Sequence, residues 1–153
     1  EGKVMGISYS AIVLDEISKQ NMLSLLSDYI PLGWTIFAHH MTITMGPLVH
    51  PKESKRKKGH DYSIFGDPGT PHNLVVSELG LDDRVMAVKV VSPFLTRNDK
   101  KGGFAHITIA VNTEAGGKPF HSNKISQENF KTIAELNLPN IIVKGTVQEV
   151  SNL

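Results

Sequence analysis

Apolar and polar positions follow two rhythms along this chain, one of period two and one close to four. Ile7–Leu14 (ISYSAIVL) is mostly apolar and rich in β-branched residues, which predicts a buried strand. Asp15 or Ser18 then caps a helix with Met22, Leu25, Leu26 and Tyr29 on its apolar face. Pro31 and Gly33 end that helix, and Trp34–Met45 reads as one long strand stopped by Gly46-Pro47. Residues 47–73 are rich in proline and glycine and show little periodicity, so they predict a long exposed loop or insert.

Leu74–Leu79 and Arg84–Ser92 read as two strands joined by a turn through Gly80–Asp83. RNDKKGG (97–103) is a turn signal, Phe104–Val111 the next strand, and Thr113–Asn123 a loop. Ser126 is placed to cap a second helix, with Phe130, Ile133 and Ala134 on one face and Asn137 and Pro139 at its end. Ile141–Val150 closes the chain as a strand. The order is β-α-β followed by β-β-α-β, which predicts an α+β protein of two antiparallel-sheet lobes, each with a helix, and a cleft between them.

Composition narrows the chemistry. The chain has 153 residues, 40% hydrophobic and 20% charged, enough for one compact domain over residues 1–153 with its own core. Net charge is +1, so any attraction to nucleic acid must come from local clustering. Without cysteine there is no thiolate metal site, no cysteine nucleophile and no disulfide framework; that fits an intracellular setting, cytoplasmic or nuclear. No run reaches the ~18–20 apolar residues of a membrane span, so no membrane partner is expected. The start at EGKVMG suggests a domain excised from a longer protein, and a monomer is expected.

Two segments then repeat one another. FAHHMTITMG (37–46) and FAHITIAV (104–111) each carry His-x-Thr-Ile in a strand frame. Side chains two apart on a strand share a face, so His40 pairs with Thr42 and His106 with Thr108, while Met41, Ile43, Ile107 and Ile109 turn to the core. If the halves face each other, two imidazoles and two hydroxyls converge. Phosphodiester cleavage by water needs that set: a base for the nucleophile, an acid for the leaving oxygen, and donors for the charge on phosphate. A single His-x-Thr on a strand is commonplace, since threonine is a good strand former; the duplication in matching frames is what points to a site.

The pair HMTI and HITI resembles the signature of the two-histidine (2H) phosphoesterase superfamily, across most of the chain in motif spacing and element order. The resemblance implies a bilobal α+β fold with pseudo-twofold lobes and a metal-independent, cofactor-free hydrolase acting on an RNA 3′ end or cyclic nucleotide. It implies His40 and His106 as the acid–base pair, with Thr42 and Thr108 holding phosphate. GWTIFAHHMTITMG is most similar to RNA-repair members, which implies opening of a terminal 2′,3′-cyclic phosphate in end healing, as in tRNA splicing, with fusion to a ligase or kinase module. Within the same superfamily, 2′–5′ phosphodiesterase and 3′-exonuclease activities are alternatives; so is a catalytically silent RNA-binding module.

Further residues are candidates for substrate binding. Lys118 is placed to meet a phosphate and Phe120 to stack on a base; His121 adjoins them, and Tyr9 on the first strand can line the same cleft. His39, by strand alternation, points away from His40 and reads as structural. The basic run at 52–58, with Tyr62 and Phe65 in the same loop, is a candidate RNA guide or a solvated charged loop. His50, His60 and His72 show no metal-ligand spacing, and no metal is expected.

Overall fold

The computed structural model of the chain describes residues 6–51 and 58–151. Among the described residues there are ten strands and two α-helices: β1 (Ile7–Leu14), α1 (Glu16–Leu26), β2 (Thr35–Ile36), β3 (His40–Met45), β4 (Val49–His50), β5 (His60–Asp61), β6 (Pro71–Leu81), β7 (Val85–Val91), α2 (Arg97–Lys100), β8 (His106–Val111), β9 (Phe130–Thr132) and β10 (Ile141–Ser151). The protein is mixed α+β, dominated by antiparallel sheet. Strands run in the order β10-β1-β3-β8-β7-β6, and β6 pairs back onto β10 from Ile141↔Val76 to Thr146↔Pro71, closing a six-stranded barrel.

Closure follows from the alternation read along each strand. Ile12, Met41, Ile43, Met86, Val88, Ile107, Ile109, Val143 and Val147 are fully buried and pack into one core inside the wall. At ~25 cal/mol per Å² of apolar surface removed from water, this interior is the main stabilising term of the fold. Helix α1 begins where Asp15 accepts a hydrogen bond from the Ser18 amide at 2.7 Å. Its inward stripe is Ser18, Met22 and Leu26, while Leu25 and Tyr29 lie exposed. The Ser18 hydroxyl accepts from the Lys144 amide at 2.9 Å and ties the helix to β10.

Three departures from the sequence expectation bear on the site. The long strand over 34–45 is broken: Ala38 sits in the left-handed region at φ 50°, which separates β2 from β3. The second helix does not form. Residues 127–129 make a single 3₁₀ turn, then β9 pairs with β6 from Glu78↔Thr132 to Gly80↔Phe130. An open edge on β6 outweighs helix propensity here, because the Phe130 ring lies directly over Gly80, where any Cβ would collide with it. The stretch 47–73 is not simply an exposed loop either. It holds the β4–β5 hairpin, a 3₁₀ turn at Ser63–Phe65 and the start of β6, and Tyr62 and Phe65 are buried in the core rather than available to RNA. Residues 52–57 of the basic run lie outside the described residues; Lys58 is exposed. Among the described residues no helix is long and apolar enough to cross a membrane.

Candidate active site

Strands β3 and β8 are neighbours in the barrel wall, in antiparallel register through Met41↔Ile107. Both of those side chains are fully buried and point inward. The flanking positions in that register, His40 and Thr42 on one strand and His106 and Thr108 on the other, therefore share the outer face. All four line one cavity of about 610 Å³, a size within the ~300–1,000 Å³ of small-molecule sites. Its remaining walls are Tyr9, Phe37, His39, Met45, Arg97, Asn98, Pro119, Phe120 and Asn123. Among the described residues no carboxylate lines it.

The two halves of the quartet are held differently. The Nδ1 of His106 donates to the backbone carbonyl of Phe104 at 3.1 Å, and its ring meets the Phe104 ring edge-on. A carbonyl can only accept, so Nδ1 carries hydrogen and Nε2 is the ring nitrogen free to react. Thr108 donates to the Pro119 carbonyl at 3.3 Å, and its hydroxyl lies 2.8 Å from that of the fully buried Ser122. On the other strand His40 stacks on Tyr9 with ring centroids 4.7 Å apart. Its Nδ1 lies 3.0 Å from the Nδ1 of His39, so one ring donates and the other accepts. The Thr42 hydroxyl makes no hydrogen bond among the described residues.

Burial lowers the proton affinity of both imidazoles. For His40 burial comes first and then the positive charges of His39 and His106, and together they push it from the usual 6.5 to about 4. For His106 burial likewise acts downward, opposed by the Phe104 carbonyl, which favours the protonated ring. The Tyr9 phenol is pushed up by burial and remains a neutral hydroxyl at all ordinary pH.

The supporting residues divide. Tyr9 and Phe120 line the cavity; Lys118 and His121 do not. Lys118 is exposed, and His121 is buried beneath the loop, where its Nδ1 accepts from the Lys118 amide at 2.9 Å and its Nε2 lies 3.1 Å from Arg84 Nη1. These contacts brace the Pro119–Lys124 turn against β7 and β8. His39, expected to face away, enters the cavity because the left-handed turn at Ala38 cancels the strand alternation.

Sequence reasoning missed Arg97, Asn98, Phe37 and Asn123. The first two come from α2, which Thr96 caps by accepting from the Asp99 amide at 3.3 Å while Asp99 accepts from the Thr96 amide at 2.8 Å. Thr96-x-x-Asp99 is a legible capping box inside a stretch that reads as a plain turn. The signal for Phe37 is the shared Phe-Ala-His that opens both motif copies. Among the described residues no group of three or more His, Cys, Asp or Glu side chains is placed to hold a metal ion. No family model matches the chain, and no curated protein matches its sequence.

Proposed function

We propose that this chain is a metal-independent phosphodiesterase of RNA ends, which hydrolyses a terminal 2′,3′-cyclic phosphate by acid–base catalysis between His40 and His106. One observation carries the reading: two His-x-Thr pairs ring the Met41–Ile107 contact on a single face and line a single cavity, with no carboxylate in its wall among the described residues. The reading takes the barrel as two halves related by a pseudo-twofold axis through that contact, as in the two-histidine phosphoesterases, with phosphate held where the halves meet.

The chemistry divides between the two rings by what each touches. His40 is kept neutral by burial and by the charges of its histidine neighbours, which suits a base. It takes a proton from water as the water oxygen bonds to phosphorus. His106 is the ring whose protonated form a carbonyl supports, which suits an acid. It gives its Nε2 proton to the ribose oxygen as the P–O bond breaks. Thr42 donates to the non-bridging oxygens, where charge accumulates. Thr108 does so too once its proton turns from the Pro119 carbonyl to the phosphate, while the Ser122 hydroxyl donates to its oxygen. The product keeps the phosphomonoester and the freed hydroxyl on the same ribose and leaves as one molecule, and exchange with solvent returns the proton from His40 to His106.

The test is hydrolysis of an oligoribonucleotide ending in 2′,3′-cyclic phosphate, with the products identified and a chelator present in parallel. The expected result is turnover indifferent to chelator and lost in His40→Ala and His106→Ala, each by ~10²–10⁴. Full activity in either variant overturns the assignment, and RNA binding without turnover favours a silent binding module instead.

A further inference from the structure

We infer that Arg97, aided by Asn98, forms a second phosphate subsite beside the catalytic quartet, so that the substrate is the end of an RNA chain rather than a free nucleoside cyclic phosphate. This rests on the reading of the quartet given above. Arg97 lines the cavity from α2 and is only partly exposed, yet its guanidinium has no ion pair or hydrogen bond among the described residues. The nearby carboxylate on the same element, Asp99, is committed to the cap, accepting from the Thr96 amide at 2.8 Å and the Thr96 hydroxyl at 2.9 Å. Among the described residues no acid lines the cavity wall, and Arg97 supplies its one fixed charge. A guanidinium held partly out of water without a counter-ion is set to receive an anion, and its planar fork matches phosphate.

Position says which phosphate. Helix α2 packs on β3 and ends six residues before His106, the position opposite Thr42 in the antiparallel register. Arg97 and Asn98 therefore enter the cavity from the Thr42 end of the quartet. The Pro119–Lys124 turn packs on β7 and β8 and brings Phe120 and Asn123 to the Thr108 end, where Phe37 also lies. The quartet thus has an aromatic wall on one side and a guanidinium on the other. A terminal ribose with a 2′,3′-cyclic phosphate has the same layout. Its base leaves from C1′, next to C2′, and its 5′-phosphodiester leaves by way of C4′, next to C3′, so the two diverge on either side of the cyclic phosphate. A base against Phe37 and Phe120 puts the 5′-phosphodiester on the Arg97 side.

The experiment compares two substrates and two ligands. Kinetics are measured on a nucleoside 2′,3′-cyclic monophosphate with a free 5′-hydroxyl and on a trinucleotide ending in the same group. The wild-type protein is expected to favour the trinucleotide, and Arg97→Ala to raise KM for the trinucleotide ~10–100-fold more than for the mononucleoside, with kcat little changed. Arg97→Lys should recover part of the loss. Lys101→Ala, an exposed neighbour outside the cavity, should change neither substrate. Equal losses on both substrates in Arg97→Ala, or none, overturn the subsite. Equilibrium binding of adenosine 2′-monophosphate and adenosine 2′,5′-bisphosphate reads the same subsite without turnover. The bisphosphate is expected to bind more tightly to wild type, and the difference to vanish in Arg97→Ala; equal affinities in wild type overturn the proposal. Should neither substrate be hydrolysed while the bisphosphate advantage depends on Arg97, the phosphodiesterase reading falls and the subsite stands.

Discussion

The two copies of the histidine motif share Phe-Ala-His and His-x-Thr-Ile, yet the first has one residue more between phenylalanine and threonine. In the second copy no residue from Phe104 to Thr108 has positive φ. His106 is pinned by a carbonyl two residues back, and Thr108 is braced from outside by Ser122 and Pro119. In the first copy the extra residue is absorbed at Ala38, in the left-handed region. Its histidine leans on another imidazole and on Tyr9, and its threonine hydroxyl has no hydrogen bond among the described residues. One half of the site is thus fixed by backbone and a buried hydroxyl, while the other is set by side chains that titrate. The acid–base division proposed above is the chemical expression of that inequality.

The largest test of the comparison removes the reacting groups themselves. Thr42→Ala and Thr108→Ala should each lower kcat by ~10²–10³ if both hydroxyls serve the developing phosphate charge. Only Thr108→Ala should also lower the melting temperature, because it strands the buried Ser122 hydroxyl at a cost of about 1–3 kcal/mol. Equal melting temperatures for the two variants, measured by calorimetry, would remove the distinction between a braced and an unbraced half.

Next in size is the effect of pH. The His40 imidazole, at about 4, should set the acid limb of kcat/KM, since protonating it removes the base. His106, below its ordinary 6.5, should set the alkaline limb and place the optimum on the acid side of neutrality. His39→Ala removes one of the charges that oppose protonation of His40, so the acid limb should move upward while the alkaline limb stays. The groups facing His40 are His39, His106 and the neutral Tyr9, and the groups nearest His106 include Lys89, which is paired with Glu78 at 3.8 Å. Movement of the wrong limb in His39→Ala reverses the assignment of base and acid. Stability carries the same signature. Both rings bind protons less readily folded than unfolded, so stability is complete above ~6.5 and declines as pH falls from there toward about 4. His40→Gln should flatten that decline in thermal melts between pH 6.5 and 4.5.

The smallest expected effect compares the two alanines. Ala38 and Ala105 are both buried, but only Ala38 has positive φ. A β-branched side chain is strained there, so Ala38→Val should cost about 1–3 kcal/mol more than Ala105→Val in denaturant unfolding. Equal costs would mean that the left-handed turn is not what sets the first copy apart.

Much of the frame is legible in the residue pattern, for reasons that also explain the failures. Runs such as ISYSAIVL and IIVKGTVQEV are β-branched at one rhythm over many residues, and tertiary contacts have nothing to override. Residues 126–137 carry helical spacing too, but there the pairing edge of β6 and the bare backbone of Gly80 capture Phe130. The four motif residues could be placed on one face because alternation holds from His40 to Thr42 and from His106 to Thr108. It fails two residues before His40, at Ala38, where neither glycine nor asparagine announces a left-handed turn, and so His39 lies on the side opposite to the one alternation predicts. Arg97 was illegible for another reason. Its place in the cavity depends on α2 packing across β3, a contact between segments that no local pattern encodes.

The ladder between β6 and β10 seals the wall on which the site is mounted. A sealed cylinder has no hinge along its staves, so adjusting the fit to a guest falls to the two short segments clipped over the groove, Thr96–Lys101 and Pro119–Lys124. Exchanging those clips for others of matching span would offer a route to new guest preferences on an unaltered chassis.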